Sequence, residues 1–270
     1  MRETVKKVLF INSEMAPFLP DSQIATICRN LPQGIQERKK EIRSFMPKYG
    51  CINERRNQLH EVIRLSGMNI IISDVDRPLI IKVASISSAR LQVYFLDNDD
   101  YFRRKQTDRD DEGRFFADND ERAIFFARGI LETVKKLRWA PDIIHCHGWI
   151  SQLVPLYLKR CYKDDPIFTD SKVVLSLYGD ALDESFNPKF RKKIIAGGVS
   201  EDDLKTFAAP DGINLAKTAI AYSDAVIFAS QEAQDKLGAF CGELPVLPYD
   251  GKALEDGSYI GEYDRFYDRL

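Results

Sequence analysis

No glycine occurs before Gly34 in this chain of 270 residues, and that absence falls where a ligand would first be sought. Val5–Ile11 reads as an apolar strand, Asn12-Ser13-Glu14-Met15-Ala16-Pro17-Phe18 opens the turn after it, and a helical pattern begins near Ser22. In open α/β sheets, phosphate groups sit at such a strand-to-helix turn, against the positive end of the helix. Only glycine lets backbone N–H groups close around the anion, so a glycine-rich cradle is excluded here. Gly-x-Ser-x-Gly, a Walker loop and a Cys–His protease signature are also missing. No apolar run approaches membrane length. Met1-Arg2-Glu3 leads into a strand of only about seven residues, too short for a signal-peptide core, so no membrane association is expected. The five cysteines (Cys28, Cys51, Cys146, Cys161, Cys241) are scattered without a Cys-x-x-Cys, which fits reduced thiols in a cytoplasmic protein. Neither charge sign is in excess: the net charge is −2 with 30% charged residues, so no nucleic-acid partner is expected. The basic clusters Arg38-Lys39-Lys40, Arg103-Arg104-Lys105 and Arg191-Lys192-Lys193 sit among acids and read as solvated surface.

What the chain does have is a regular alternation of strand-length apolar runs and helical patterns. Val5–Ile11 and Glu41–Met46 are predicted strands, with a helix from about Ser22 to Arg38 between them. Met68–Ser73, Leu79–Ser85 and Arg90–Leu96 follow as a meander, then Asp97–Asp120 as a long polar surface loop. Asp118 with Glu121 resembles a capping box, opening a helix over about Asn119–Leu137. Strands at Asp142–Cys146, Lys172–Leu177 and Ala225–Ala229 alternate with helices at Ile150–Cys161 and Ile213–Tyr222. This order implies an α/β domain with right-handed crossovers and a mostly parallel sheet. One domain is expected over 1–241. Gly, Pro, Asp and Tyr accumulate after it, so 242–270 is expected to be an irregular tail.

The densest cluster of reactive side chains is Pro141-Asp142-Ile143-Ile144-His145-Cys146-His147-Gly148-Trp149. Strand alternation puts His145 and His147 on one face and Cys146 on the other. They lie at the carboxyl end of a parallel strand, where α/β folds place ligands. The one further histidine is His60, and no acid follows at ligand spacing, so no metal site is expected. Asp108-x-Asp110-x-Glu112-Gly113 brushes against a calcium loop but has Asn119 where the bidentate glutamate belongs, and it is rejected. Asp180, Asp183 and Glu184 follow a strand end, placing them either on the cleft or in an exposed loop.

Several of these stretches together resemble the amino-terminal domain of glycogen and starch synthases, glycosyltransferase family 5. They are Ser13–Phe18, Pro47-Lys48-Tyr49, Asp97-Asn98 with Tyr101-Phe102, Phe125-Phe126, and the run Pro141–Trp149. Leu153–Lys159, Asn214-Leu215-Ala216-Lys217 and Ala221-Tyr222-Ser223-Asp224 with Val226 and Ser230 continue it in the same order. The resemblance implies a Rossmann-like three-layer domain, the N-terminal half of a GT-B glycosyltransferase, and a glucan or nucleotide-sugar ligand. It implies no cofactor. Candidate cleft residues are Glu14, His145, His147, Trp149, Tyr178 and Asp180.

The departures fall on the working residues. Where the family has Lys-x-Gly-Gly-Leu-Ala-Asp, this chain has Pro20-Asp21-Ser22-Gln23-Ile24-Ala25-Thr26. Pro20 replaces a cation, Ser22 and Gln23 add side chains where backbone should approach phosphate, and Thr26 removes a carboxylate. The family's Thr-Val/Ile-His-Asn becomes Ser176-Leu177-Tyr178-Gly179, and His-Asp-Trp-His survives in part as His147-Gly148-Trp149-Ile150. Tyr178 is then either a new functional residue or a space filler. These changes imply loss of the ancestral transfer chemistry in the lone chain. The expected length of a GT-B enzyme also leaves the second, donor-binding domain unaccounted for. Three roles remain open: a domain binding a glucan, sugar nucleotide or other small ligand; a module docking a partner protein on the face of the missing domain; and a glucosyltransferase half completed in trans.

Overall fold

Parallel strands form the centre of the molecule. A computed structural model describes residues 5–20, 22–196 and 198–270. Met1-Arg2-Glu3 and Asp21, both named above, lie outside the described residues. Strand β1 (Lys7–Asn12) leads to helix α1 (Gln23–Glu37) and β2 (Glu41–Pro47); β3 (His60–Glu61), β4 (Met68–Ile72), β5 (Val75–Ile86) and β6 (Leu91–Asp97) follow. Next come α2 (Asp99–Phe102), α3 (Asn119–Leu137), β7 (Ile143–His147), α4 (Val154–Cys161), β8 (Lys172–Leu177) and α5 (Phe190–Ala196). The chain continues through α6 (Gly212–Ala221), β9 (Ala225–Phe228), α7 (Gln231–Leu237), β10 (Val246–Leu247), α8 (Gly251–Asp256) and α9 (Tyr259–Tyr267).

The strand order is β10-β9-β8-β7-β1-β2-β6-β5-β3, with β4 paired to β5. Every pairing from β10 to β6 is parallel, and β5 runs antiparallel to β6, β3 and β4. Ser73 and Asp74 adopt positive φ in the tight turn joining β4 to β5, the geometry a two-residue hairpin requires. Val8–Ile11 of β1 are fully buried, the unbroken apolar run expected of a strand covered on both faces. The order reverses at β1, with β2 on one side and β7 on the other. The crevice at its carboxyl end is therefore a topological switch point.

Two expectations are corrected locally. Asp118 makes no cap hydrogen bond to α3, because its carboxylate is taken by Arg104 (Nη1 2.9 Å, Nη2 2.5 Å). A guanidinium is a stronger partner for a carboxylate than a backbone N–H. The stretch Asp97–Asp120 is not wholly surface loop: Asn98 caps α2, and Tyr101 and Phe102 are buried. Buried Arg122 holds this stretch from beneath, donating to Thr107 O (2.6 Å) and Asn119 Oδ1 (2.6 Å).

The largest correction concerns 242–270, which is ordered as β10, α8 and α9 rather than irregular. Tyr259, Tyr263, Phe266 and Tyr267 fall on one face of α9 and are all buried, so helical amphipathicity overrides their turn-rich surroundings. The helix lies on α1, where Gly34 makes room: a Cβ there would be 2.5 Å from Ile260 Cγ2. Lys40, expected on the surface, is buried by α9 and paired with Asp264 (2.5 Å) and Asp268 (3.1 Å).

Candidate functional site

The carboxyl ends of β1, β7 and β8 bring most of the expected residues to one place. The turn after β1 carries Glu14, β7 ends at His147 and runs into Gly148-Trp149, and β8 runs into Tyr178-Gly179-Asp180. Ser13 N donates to His147 O (3.0 Å), which ties the first two strand ends together. Gly148 has φ +80°, and a Cβ there would be 2.6 Å from Ser13 Cβ and 3.3 Å from Asp180 Oδ2. The glycine thus lets three segments converge.

The positive end of α1 points at this convergence and is already occupied. Ser22 is the N-cap, extended, with Oγ accepting from Ala25 N at 3.0 Å. The same Oγ donates to Glu14 Oε2 at 2.5 Å, setting a carboxylate against the helix N-terminus. Gln23 Nε2 donates across the crevice to Ala229 O at 3.0 Å. Pro20 and Thr26 are exposed. Thr26 lines a shallow groove of about 330 Å³ with Ser22, Gln23, Ile27 and Leu254, the last from α8.

Of the two histidines, only His147 reaches the strand end. His145 lies two residues deeper, its ring between Ser176 Oγ (2.8 Å from Nε2) and Tyr267 OH (2.7 Å from Nδ1). Both imidazoles are fully buried with ring centroids 3.8 Å apart, on one face as alternation requires. Burial holds both neutral, with His147 pushed down to about 3 and His145 also well below the usual range. Tyr178, itself buried, places its hydroxyl 2.6 Å from His147 Nδ1. With that hydroxyl donating, the ring proton sits on Nε2, which has no partner among the described residues. Asn12 Oδ1 and Ser13 Oγ are likewise buried without a partner there.

Trp149 is buried rather than open to the cleft, packed against Phe115 (5.2 Å between ring centroids) and Phe186 (5.7 Å). Its backbone N–H donates to Asp180 Oδ2 at 2.6 Å. Asp183 is exposed beside Lys236, and Glu184 pairs with Arg109 at 2.8 Å, joining the 104–118 stretch to the β8 side. Burial raises the carboxyls of both Glu14 and Asp180, the latter to about 6, with Asp108 adding repulsion on each. Asn12 and the tyrosines of α9 were not singled out from the sequence, Ser13 entered only through the family stretch Ser13–Phe18, and Asp108 only through the rejected calcium loop. Their signal lies in the fold, except for the tyrosine spacing in α9. Among the described residues, no three His, Cys, Asp or Glu side chains group closely enough to hold a metal ion. No helix among them is long and apolar enough to cross a membrane.

The raised Asp180 carboxyl makes a prediction with a definite sign. Between its ordinary value of 3.8 and about 6, the native state holds a proton that the unfolded chain has released. Stability from this group therefore falls as pH rises through that window. Asp180→Asn, which can still accept from Trp149 N, is expected to stabilise the domain above about pH 6 by on the order of 1–3 kcal/mol. The gain should vanish toward pH 4, and paired thermal melts would read it. A larger gain in acid than in base would refute the assignment.

The family model described as the starch synthase catalytic domain matches residues 7–240. This chain belongs to that family. It is 36% identical over 232 residues to the glycogen synthase of Chlorobium limicola, covering 86% of this chain and 47% of that protein. The glycogen synthase of Chlorobaculum tepidum is 36% identical over 226 residues, covering 83% of this chain and 46% of that protein. The chain thus spans about half the length of the curated relatives it matches. The fold is also that of the catalytic domain of starch synthase IV from Arabidopsis thaliana, solved bound to ADP and acarbose. That match has a TM-score of 0.71 at 17% identity and covers 92% of this chain and 52% of that one. The mostly parallel α/β architecture is therefore that of a starch synthase GT-B catalytic domain.

Proposed function

We propose that this domain binds a neutral glucan segment at the carboxyl ends of β1, β7 and β8, and does not by itself transfer glucose from a sugar nucleotide. The observation that carries the reading is the occupied N-terminus of α1. In an α/β fold of this kind, a diphosphate is most readily held at a positive helix end with free N–H groups. Here Ser22 Oγ has taken one N–H and Glu14 supplies the negative charge. At these strand ends, the groups left without partners among the described residues are uncharged: the imidazole of His147, the hydroxyl of Ser13 and the amide oxygen of Asn12. Buried neutral donors and acceptors of this kind suit sugar hydroxyls, whose hydrogen bonds replace those the groups lack.

Starch synthase IV, similar in fold, was solved bound to ADP and acarbose, and the proposal keeps a sugar ligand without the nucleotide. Titration with maltoheptaose and with ADP-glucose, beside an assay of glucosyl transfer to glycogen, tests it. Maltoheptaose at about ten times its dissociation constant should add roughly 1.4 kcal/mol to the folded state, and ADP-glucose nothing. Transfer by the chain alone would refute the second half of the proposal.

A further inference from the structure

We propose, resting on the glucan-site reading above, that the hairpin 108–116 is a lid over Trp149, latched by Arg109 to Glu184, and that lifting it uncovers the indole as a platform for a sugar ring. A glucan can reach His147 Nε2, Ser13 Oγ and Asn12 Oδ1 only if something moves, because all three atoms are buried. Trp149 lies two residues beyond His147 and is closed off by Phe115 and Phe186, whose own ring centroids are 5.3 Å apart. Phe186 belongs to the body of the domain. It is buried, its N–H donates to Pro210 O at 2.7 Å, and its ring packs on Phe190 at 5.1 Å. Phe115 is only partly buried and comes from the hairpin. The C–H face of a pyranose is apolar and its rim carries hydroxyls, which suits an indole beside neutral donors and acceptors.

The hairpin is built as a unit. Arg109 and Phe115 pair as an antiparallel bridge, Phe116 N donates to Asp108 O at 3.0 Å, and Asp110 N donates to Arg114 O at 2.9 Å. Gly113 turns the tip at φ +80°, and Asp110 Oδ1 accepts from Glu112 N (3.0 Å) and Arg114 N (2.9 Å). These bonds are internal and survive a rigid swing. The base is anchored: Arg122 Nη2 donates to Thr107 O at 2.6 Å, and Asn119 Nδ2 to Asp108 O at 2.9 Å. Among the described residues, the one polar contact that 109–115 makes beyond the 104–118 stretch is Arg109 Nη2 with Glu184 Oε1 at 2.8 Å. The Arg109 side chain is 41% exposed, and exposed ion pairs are weak and screened by salt. A self-bonded tip on a fixed base, held down by one ring and one weak ion pair, is the construction of a lid.

The test uses the full chain with both tryptophans replaced by 5-fluorotryptophan, which gives one fluorine resonance each. The shift between H2O and D2O reads the exposure of Trp149, and buried Trp139, bonded to Glu41, is the unmoved reference. When the binding-competent form is the minor one, exposure and apparent affinity both follow its population. Glu184→Gln removes the latch and should raise both the Trp149 solvent shift and the affinity for maltoheptaose, in step, by up to about fivefold. Arg109→Glu with Glu184→Arg restores the pair reversed and should return both to the wild-type values. Failure of Glu184→Gln to raise either one overturns the lid, and maltoheptaose binding to the wild type then leaves the glucan reading standing. If neither the wild type nor Phe115→Ala binds maltoheptaose, both fall. Binding by Phe115→Ala alone supports both, as a lid that stays shut.

Discussion

Removal of residues 242–270 is expected to abolish cooperative folding rather than trim a loose end. The segment contributes Tyr259, Tyr263, Phe266 and Tyr267, each 5% exposed or less. Burying such side chains is worth about 1.5–3 kcal/mol each, roughly 6–12 kcal/mol together as an upper bound. The whole stability of a domain is about 5–15 kcal/mol. Truncation also takes the hydroxyl of Tyr267 from His145 and both acids from Lys40, and opens to water the apolar surface that α9 covered. Urea denaturation followed by near-UV circular dichroism would show a lost or strongly broadened transition. A truncated chain melting cooperatively within a few degrees of the full chain would show that α9 is an ornament on the core. The point variant Tyr267→Phe isolates the hydrogen bond and should cost about 1–3 kcal/mol.

The second large effect is expected from the smallest change in the cleft, Gly148→Ala. The backbone at Gly148 has φ +80°, where an L-residue is strained by about 1–2 kcal/mol. The added methyl would overlap Ser13 Oγ and stand 3.3 Å from Asp180 Oδ2. Relief by movement is blocked on both sides. Ser13 N is bonded to His147 O at 3.0 Å, and Gly148 O accepts from Ser151 Oγ at 2.7 Å and Ser151 N at 3.1 Å. Overpacking of this kind adds about 1–3 kcal/mol, so a total loss of roughly 2–5 kcal/mol is expected. Ser13→Gly in the same chain should recover the overpacking part and leave the backbone strain. If the double variant is no more stable than Gly148→Ala alone, the overlap with Ser13 is not the cause.

The parts of this molecule legible in the sequence are those fixed by local pattern. Asn119–Leu137 and Lys172–Leu177 match the predicted spans, because an unbroken 3–4 stripe and an unbroken apolar run leave one solution each. The shared face of His145 and His147 follows from strand alternation alone. What stayed hidden depends on contacts between distant segments. Tyr259, Tyr263 and Tyr267 do carry helical spacing, but Gly257-Ser258 and the Pro-rich approach at Pro245 and Pro248 outweighed it. That α9 returns to cover His145 lies 122 residues beyond any local signal. The burial of Trp149 depends on Phe115 and Phe186 closing over it, and the crowding of acids on Asp108 entering from a separate loop. The substitutions at Ser22 and Gln23 were visible as departures. That their side chains bond inward, to Glu14 and Ala229, was not.

The central proposal is that this cleft takes a neutral glucan and not a nucleotide sugar. Isothermal titration of ADP-glucose and maltoheptaose into the wild-type chain, and into Pro20→Lys/Ser22→Gly/Gln23→Gly, tests it most directly. The account predicts heat from maltoheptaose but none from ADP-glucose in the wild type, with nucleotide-sugar binding appearing once the lysine and glycines are present. Micromolar binding of ADP-glucose to the unaltered chain would contradict it.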